Sequence, residues 1–403
     1  MQKNRKCVLG CRVALLFLAV GLLYETEILP TVAWAQEAAF DGNQPAFDAQ
    51  SSVLATPFQP EAVPAESSSA AYDLQPLPPV QPLGDLTAGS TAAPTFGGGF
   101  GMGMGSGMGL GMGGGQGPIS YKTTWFPNAA VQGQSANWGM VGQDFSFMAP
   151  VSSSSPSTVM LTGGVSNRLI DTDATMPDSG RAYPDNLWNV RLGLMYMRQL
   201  DEGRMFSAGV NVGSASDRPF GSIEEMNVSL MAMYRRPSGE RNAWTFGVVY
   251  SPTSEIQFPI PMISYFWNPS DTFQANVGLP FMLRYRPDDR WTFEASYMLI
   301  HTINVKGSYR LTDRLKIVGG YSSTDEVYML YDRTDVSDRF FMYDQRVSLG
   351  LESPVAKWLT VDLTGGYAFG RYSYTGQQWD SAQFDRIDIA NGPFVMFHAQ
   401  LRR

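Results

Sequence analysis

From about residue 187 to its end the chain repeats one device, a short run in which every second residue is apolar or aromatic, closed by a tight polar turn. Trp291-Thr292-Phe293-Glu294-Ala295-Ser296-Tyr297 sets Trp, Phe, Ala and Tyr on one face and Thr, Glu and Ser on the other. Side chains of a strand alternate with period two, so the pattern predicts strands with one dry and one wet side. Such segments are expected at residues 143–149, 157–165, 187–199, 204–213, 226–235, 243–250 and 258–267. Others are expected at 272–286, 290–309, 315–321, 341–351, 357–369 and 391–401. Pro280 interrupts one segment and 299–302 has turn character in another. Because single-chain bacterial barrels favour even numbers, the expectation is about 12 strands, within roughly 10 to 14.

Connection lengths add an orientation. Short polar turns at Asp201-Glu202-Gly203, 237–242, Pro287-Asp288-Asp289 and Thr312-Asp313-Arg314 alternate with long segments at 167–186, 214–225, 322–339 and 371–390. Transmembrane barrels pair short periplasmic turns with longer external loops in this way. A water-soluble antiparallel sheet also alternates, so the faces must decide. Leu192, Leu194 and Tyr196, or Trp244, Phe246, Val248 and Tyr250, place aromatics at strand ends, as interfacial girdles do. The opposite faces are polar, which suits a water-containing lumen better than a packed core. Arg191, Arg284, Lys306 and Arg310 are the expected lumen charges, which would bias permeation. The fold expected is therefore all-β, an antiparallel up-and-down transmembrane-type β-barrel after a disordered N-terminal region. The terminal Arg402-Arg403 departs from the aromatic ending such barrels often carry. A secreted β-sheet binding module using the long acidic loops is the soluble alternative.

The N-terminus sets the compartment. Lys3, Arg5, Lys6 and Arg12 form a basic segment, residues 13–23 an apolar one, and Ala33-Trp34-Ala35 a small-x-small site, together a signal peptide over 1–35 cleaved before Gln36. An apolar stretch this short cannot span roughly 30 Å of hydrocarbon as a helix, so the reading is export through the Sec pathway and removal. Val8-Leu9-Gly10-Cys11 resembles a lipoprotein box but precedes the apolar stretch it should follow. Both cysteines, Cys7 and Cys11, fall in this leader, so disulfides and thiolate chemistry are excluded from the mature chain. The leader holds four of the 29 basic residues and two of the 37 acidic ones, which leaves the mature chain at −10. That is the wrong sign for a nucleic-acid binder.

Residues 36–118 carry no sustained periodicity. They run from an Ala/Pro/Ser/Gln-rich stretch into a Gly/Met-rich tract with Met102, Met104, Met108 and Met112. Such composition buries too little apolar surface to offset chain entropy, so this region is read as a disordered linker. Thioethers bind soft copper(I), but a flexible glycine linker is the plainer account of the tract. As an exported arm it would reach the cell wall or an envelope partner. The barrel domain is placed at 119–403.

An ordered series of short motifs adds a resemblance. Asp171-x-Asp173, Pro177-Asp178, Pro184-Asp185 and Trp188 lead into Gly213-Ser214-Ala215-Ser216-Asp217 and Glu225-Met226-Asn227-Val228. Phe258-Pro259-Ile260-Pro261, Trp267-Asn268-Pro269-Ser270-Asp271, Gly278-Leu279-Pro280-Phe281, Asp338-Arg339-Phe340-Phe341 and Gly366-Tyr367-Ala368-Phe369 follow. From about Tyr121 onward the chain resembles an uncharacterised bacterial family of outer-membrane β-barrel-like proteins. The resemblance implies a barrel in the outer membrane, with outer-membrane lipid and the barrel-assembly and secretion machinery as partners. It implies no activity.

Catalytic chemistry must then stand on the residues, and it is thin. With only His301 and His398, a multi-histidine metal site is out of reach. Neither histidine has a nucleophile motif beside it in sequence; the alternative, a membrane-embedded hydrolase of lipid or lipopolysaccharide, would set His301 or His398 beside a Ser and an acid on the outer rim. Asp171, Asp173, Asp178 and Asp185 cluster in one long loop, and Asp325, Glu326, Asp332, Asp335 and Asp338 in another. Their spacing does not fit a calcium loop. Gly319-Gly320 and Gly365-Gly366 lie within strand patterns and start no phosphate-binding unit. The expectation is a non-enzymatic barrel with no catalytic, cofactor or metal site, serving a structural role in the envelope or passive passage of small solutes.

Overall fold

The computed structural model describes residues 118–401, apart from 252–255, 257, 299–301 and 379–382. The expected signal peptide and Gly/Met-rich tract lie outside the described residues, as does His301.

The strands are β1 (Ile119–Ala130), β2 (Asn137–Ser154), β3 (Ser157–Thr172), β4 (Asn186–Gln199), β5 (Met205–Ser216), β6 (Met226–Pro237), β7 (Ala243–Tyr250) and β8 (Ile260–Ser270). They continue as β9 (Phe273–Gly278), β10 (Phe281–Tyr285), β11 (Trp291–Met298), β12 (Thr302–Thr312), β13 (Leu315–Tyr328), β14 (Arg339–Ala356), β15 (Leu359–Gly376), β16 (Phe384–Ile389) and β17 (Gly392–Leu401). Each pairs antiparallel with its neighbour in sequence or, for β16 and β17, with β15. β1 closes the sheet by pairing β2 on one side and β17 on the other, with Ser120 opposite Gln400 and Lys122 opposite His398. β16 and β17 lie end to end along β15, so the seventeen segments make sixteen staves of one closed barrel.

Sixteen staves replace the expected twelve or so, for identifiable reasons. The stretch 272–286 is the hairpin β9–β10, and 290–309 is the hairpin β11–β12. In the first, Asn276 pairs with Met282 across an odd number of residues, which preserves the alternation phase, so Val277 and Tyr285 face the same way and the hairpin reads as one long strand. Gly278 makes the turn with φ +132°, and the Asn276 side chain donates to the Pro280 carbonyl at 2.6 Å. β1 escapes detection because it follows the glycine tract and carries Pro127, which sits where the ladder shifts register between Phe126 and Ala129.

All the expected short turns gather at one rim with both described chain ends, and the long connections at the other. The long connections are partly strand: β3 reaches Thr172, β5 Ser216, β13 Tyr328 and β15 Gly376. Ser322-Ser323-Thr324-Asp325-Glu326 shows why they read as loop, since both faces are polar there. At Gly370, φ +58°, the ladder skips a residue between Tyr343 and Gln345 on β14. The resulting bulge turns Arg371 and Ser373 toward the interior.

The apolar faces point outward. Trp125, Leu192, Ile263, Leu349 and Leu363 are each more than half exposed, an inversion of a globular core. Near the short-turn rim, Trp244, Tyr265, Trp267, Phe273, Tyr285, Phe293, Trp291 and Tyr309 form a belt in which neighbouring rings lie 4.7 to 6.4 Å apart. Interfacial girdles are built in this way. No helix among the described residues is long and apolar enough to cross a membrane.

Candidate functional site

The interior is layered along the barrel axis. Toward the long-connection rim, Phe126, Trp138, Leu187, Tyr328 and Phe340 are almost completely buried. The loop 173–185 folds onto them, burying Met176 and bringing Tyr183 edge-on to Phe340 at 5.5 Å. A reciprocal clamp fixes this loop: the Asp385 carboxylate accepts from the N–H groups of Asp178 and Ser179 at 3.0 and 2.8 Å, and Asp178 accepts from the Asp385 N–H at 2.6 Å. Burial pushes the Tyr183 phenol up to about 12. Two guanidiniums line the same layer, Arg371 at 4.6 Å from the Trp138 ring and Arg346 at 4.9 Å from Phe126.

Beneath this plug an ionic brace crosses the lumen. Arg168 on β3 is buried and donates to both oxygens of Glu326 on β13, at 2.8 to 3.1 Å, and to Asp144 on β2 at 2.8 Å. Tyr328 donates to the same Glu326 at 2.8 Å, and Lys122 pairs with Asp144 at 3.2 Å. β3 and β13 lie six staves apart by the shorter way round, so the bridge ties opposite walls together.

A third layer is methionine-rich. Met195, Met231, Met233 and Met262 are buried on the inner faces of β4, β6 and β8, while Leu192, Leu194, Val228, Leu230 and Ile263 occupy the outer faces of the same strands. Unbranched side chains reach into a lumen too wide for Val or Leu, over the space left at Gly209 and Gly247.

The four expected lumen charges all occupy the inner face, by their alternation with exposed apolar neighbours. They do not form one site. Arg191 lies against Gly164, where an added Cβ would come within 2.8 Å of its guanidinium. Arg284 sits 3.6 Å from Glu294, and Lys306 shares Glu352 with Lys316 at 3.4 and 2.7 Å. Arg310 is exposed near the short-turn rim. The expected acidic loop clusters are dispersed, with Glu326 drawn into the brace and Asp178 into the loop clamp. No group of three or more His, Cys, Asp or Glu suited to a metal occurs among the described residues.

Sequence reasoning left His398 isolated, whereas the fold gives it partners on both sides. His398 on β17 faces the lumen near the short-turn rim. Its Nε2 lies 2.9 Å from Ser120 Oγ on β1, and its Nδ1 lies 2.9 Å from Asp362 Oδ2 on β15. The three residues come from adjacent staves at the seam where the first strand meets the last. No local motif announces this set, because Ser120 and His398 are 278 residues apart. The signal available was parity, since Lys122, Asp362 and His398 each lie on the polar face of an alternating run.

A closed sixteen-stave sheet, apolar outside, polar and packed inside, with an aromatic belt at one rim, defines a β-barrel of the outer-membrane type. The chain belongs to the family described as Domain of unknown function (DUF6268), whose model matches residues 174–402, more than half its length. No curated protein matches it. Among solved structures, an outer-membrane channel from Pseudomonas putida F1 shares 10% identity over 70% of this chain and 93% of its own, with TM-score 0.31. The Pseudomonas putida toluene transporter TodX shares 10% over 70% and 88%, with TM-score 0.32. The translocator domain of the autotransporter NalP from Neisseria meningitidis shares 13% over 70% and 87%, with TM-score 0.24.

Proposed function

We propose that this chain is an outer-membrane barrel with a structural role in the envelope, closed to free passage in this state. The observation that carries the reading is the Arg168–Glu326 brace beneath a buried apolar plug, which fills the section a porin would leave open to water. The apolar outer face would be solvated by lipid, and every stave finds partners around the closed sheet. Barrel-assembly and secretion machinery would be its partners during export, and the N-terminal arm its reach toward the wall. Passive passage of small solutes would require loop 173–185 to leave the lumen, after which Arg191, Arg284, Lys306 and Arg310 would bias the ions admitted. Neither role needs a reaction.

Cell fractionation with boiled and unboiled gels, followed by planar-bilayer conductance, tests this. A detergent-dependent mobility shift and no steady current from the intact protein are expected, with current appearing when residues 175–183 are replaced by a short glycine-serine link. Recovery in the soluble fraction without a shift would sink the membrane reading, and steady current from the intact protein would sink the closed lumen.

A further inference from the structure

We infer that Ser120, His398 and Asp362 form a serine-nucleophile site on the lumen wall, able to be acylated by small water-soluble esters. This goes beyond the envelope role proposed above and would add a reaction to it.

The carboxylate decides which atom of the histidine carries a proton. Asp362 Oδ2 is a carboxylate oxygen and can only accept, so the 2.9 Å contact fixes a hydrogen on His398 Nδ1. In the neutral ring this leaves Nε2 as a bare acceptor. The Ser120 hydroxyl at 2.9 Å must then donate to it. That direction is the one general-base activation requires: a nucleophile hydrogen-bonded to a base, and the base oriented by a third group. A seam held for stability alone needs only a chain of polar contacts in any order.

Access agrees with this. The His398 side chain is 26% exposed and that of Asp362 15%, so the site is neither sealed nor on the lipid face. It faces the lumen toward the short-turn rim, where Arg310 is exposed. A membrane lipid in the bilayer plane meets the opposite face of these strands, where Val395, Phe397 and Leu363 point. The substrate class is therefore a small soluble acyl ester rather than a bilayer phospholipid.

The step balances within the site. Ser120 Oγ bonds to the acyl carbon as its proton passes to His398 Nε2. The ester C–O bond breaks, and the leaving alkoxide takes that proton. Water then attacks the acyl-serine, giving its proton to Nε2, and Ser120 leaves with that proton as a free hydroxyl while the acid departs. The fold also limits the rate. β1 is paired on both sides from Ser120 to Trp125, so the backbone N–H groups beside the serine are committed to ladders. Charge on the acyl oxygen is left to lumen water and to the Lys122 ammonium, which shares this face. A reactive serine with slow turnover is what such a site gives.

The test treats the full-length barrel in detergent with a fluorescent alkyl fluorophosphonate and maps the label by peptide mass. Label on Ser120 is expected, lost in Ser120→Ala while the unboiled form keeps its mobility. Asp362→Asn should slow labelling by roughly 10²-fold. Asp362→Glu, which can still accept from Nδ1, should recover part of that rate, whereas a purely structural role would not separate the two. A compact barrel that takes no label, or a label that persists in Ser120→Ala, overturns the proposal and leaves the envelope role standing. Loss of the mobility shift in the intact protein would instead count against the membrane barrel itself.

Discussion

Arg168 and Glu326, 158 residues apart in sequence, meet inside the barrel through three contacts between one guanidinium and one carboxylate. Both charges are buried, so each is tolerated only because the other is present. Arg168→Met should destabilise the barrel by about 3 to 5 kcal/mol, since Glu326 and Asp144 lose their buried partner. Adding Glu326→Leu should recover a substantial part of that loss. The temperature at which the unboiled band converts to the unfolded position reads both, and equal loss in single and double variants would refute the coupling.

The outward face makes a separate prediction. Trp125, Trp244, Trp267 and Trp291 are exposed on the outer wall, whereas Trp138 is buried inside. In bilayers of brominated phosphatidylcholine, tryptophan emission should be quenched strongly, and Trp138→Phe should leave the quenched fraction almost unchanged. Emission insensitive to bromine would place these side chains in water or against protein.

Tyr183 predicts an alkaline limit. Its folded pKa, about 12, lies above the unfolded value of 10.0, so the folded state keeps the proton that the unfolded state loses. Its contribution is complete below pH 10 and declines as pH rises toward 12, by about 2 to 3 kcal/mol over that window. Release of loop 173–185, followed by protease cutting near Arg181, should rise across this range. Tyr183→Phe should remove that part of the pH dependence, and an identical pH profile in the variant would count against the assignment.

The β9–β10 turn leaves its backbone no room for a side chain. At Gly278 the chain has φ +132°, and an added Cβ would lie 2.2 Å from the Ile263 carbonyl oxygen. Gly278→Ala should therefore sharply reduce the yield of heat-modifiable barrel. Gly133→Ala, in a turn with open space around it, should cost only about 1 kcal/mol. Equal yields from the two variants would refute the clash.

What the sequence made legible was whatever depends on local period. The faces of Trp291 to Tyr297 and the grouping of the expected short turns at one rim follow from alternation and turn chemistry. The number of staves did not, because the turn around Leu279-Pro280 joins Asn276 to its partner Met282 through an odd number of residues and leaves the phase intact. Rim strands such as the upper part of β13 were lost for the opposite reason: where neither face is apolar, a strand has no pattern to show. His398 illustrates the remaining gap. Its partners are set by which strands become neighbours when the sheet closes, and pairing across the seam is fixed by the whole circuit of registers rather than by any window of sequence.

That seam has a consequence for how the molecule comes into being. β1 closes the circuit only by pairing with β17, the last described strand, so until the two meet during assembly the sheet has two raw edges of unpaired N–H and C=O groups. Neither lipid nor a partner strand elsewhere in the chain satisfies them. A product that stopped before residue 392 would be an open sheet with nothing to fasten to. Closure is thus a test that the geometry itself applies, passed only when β1 and β17 are both present.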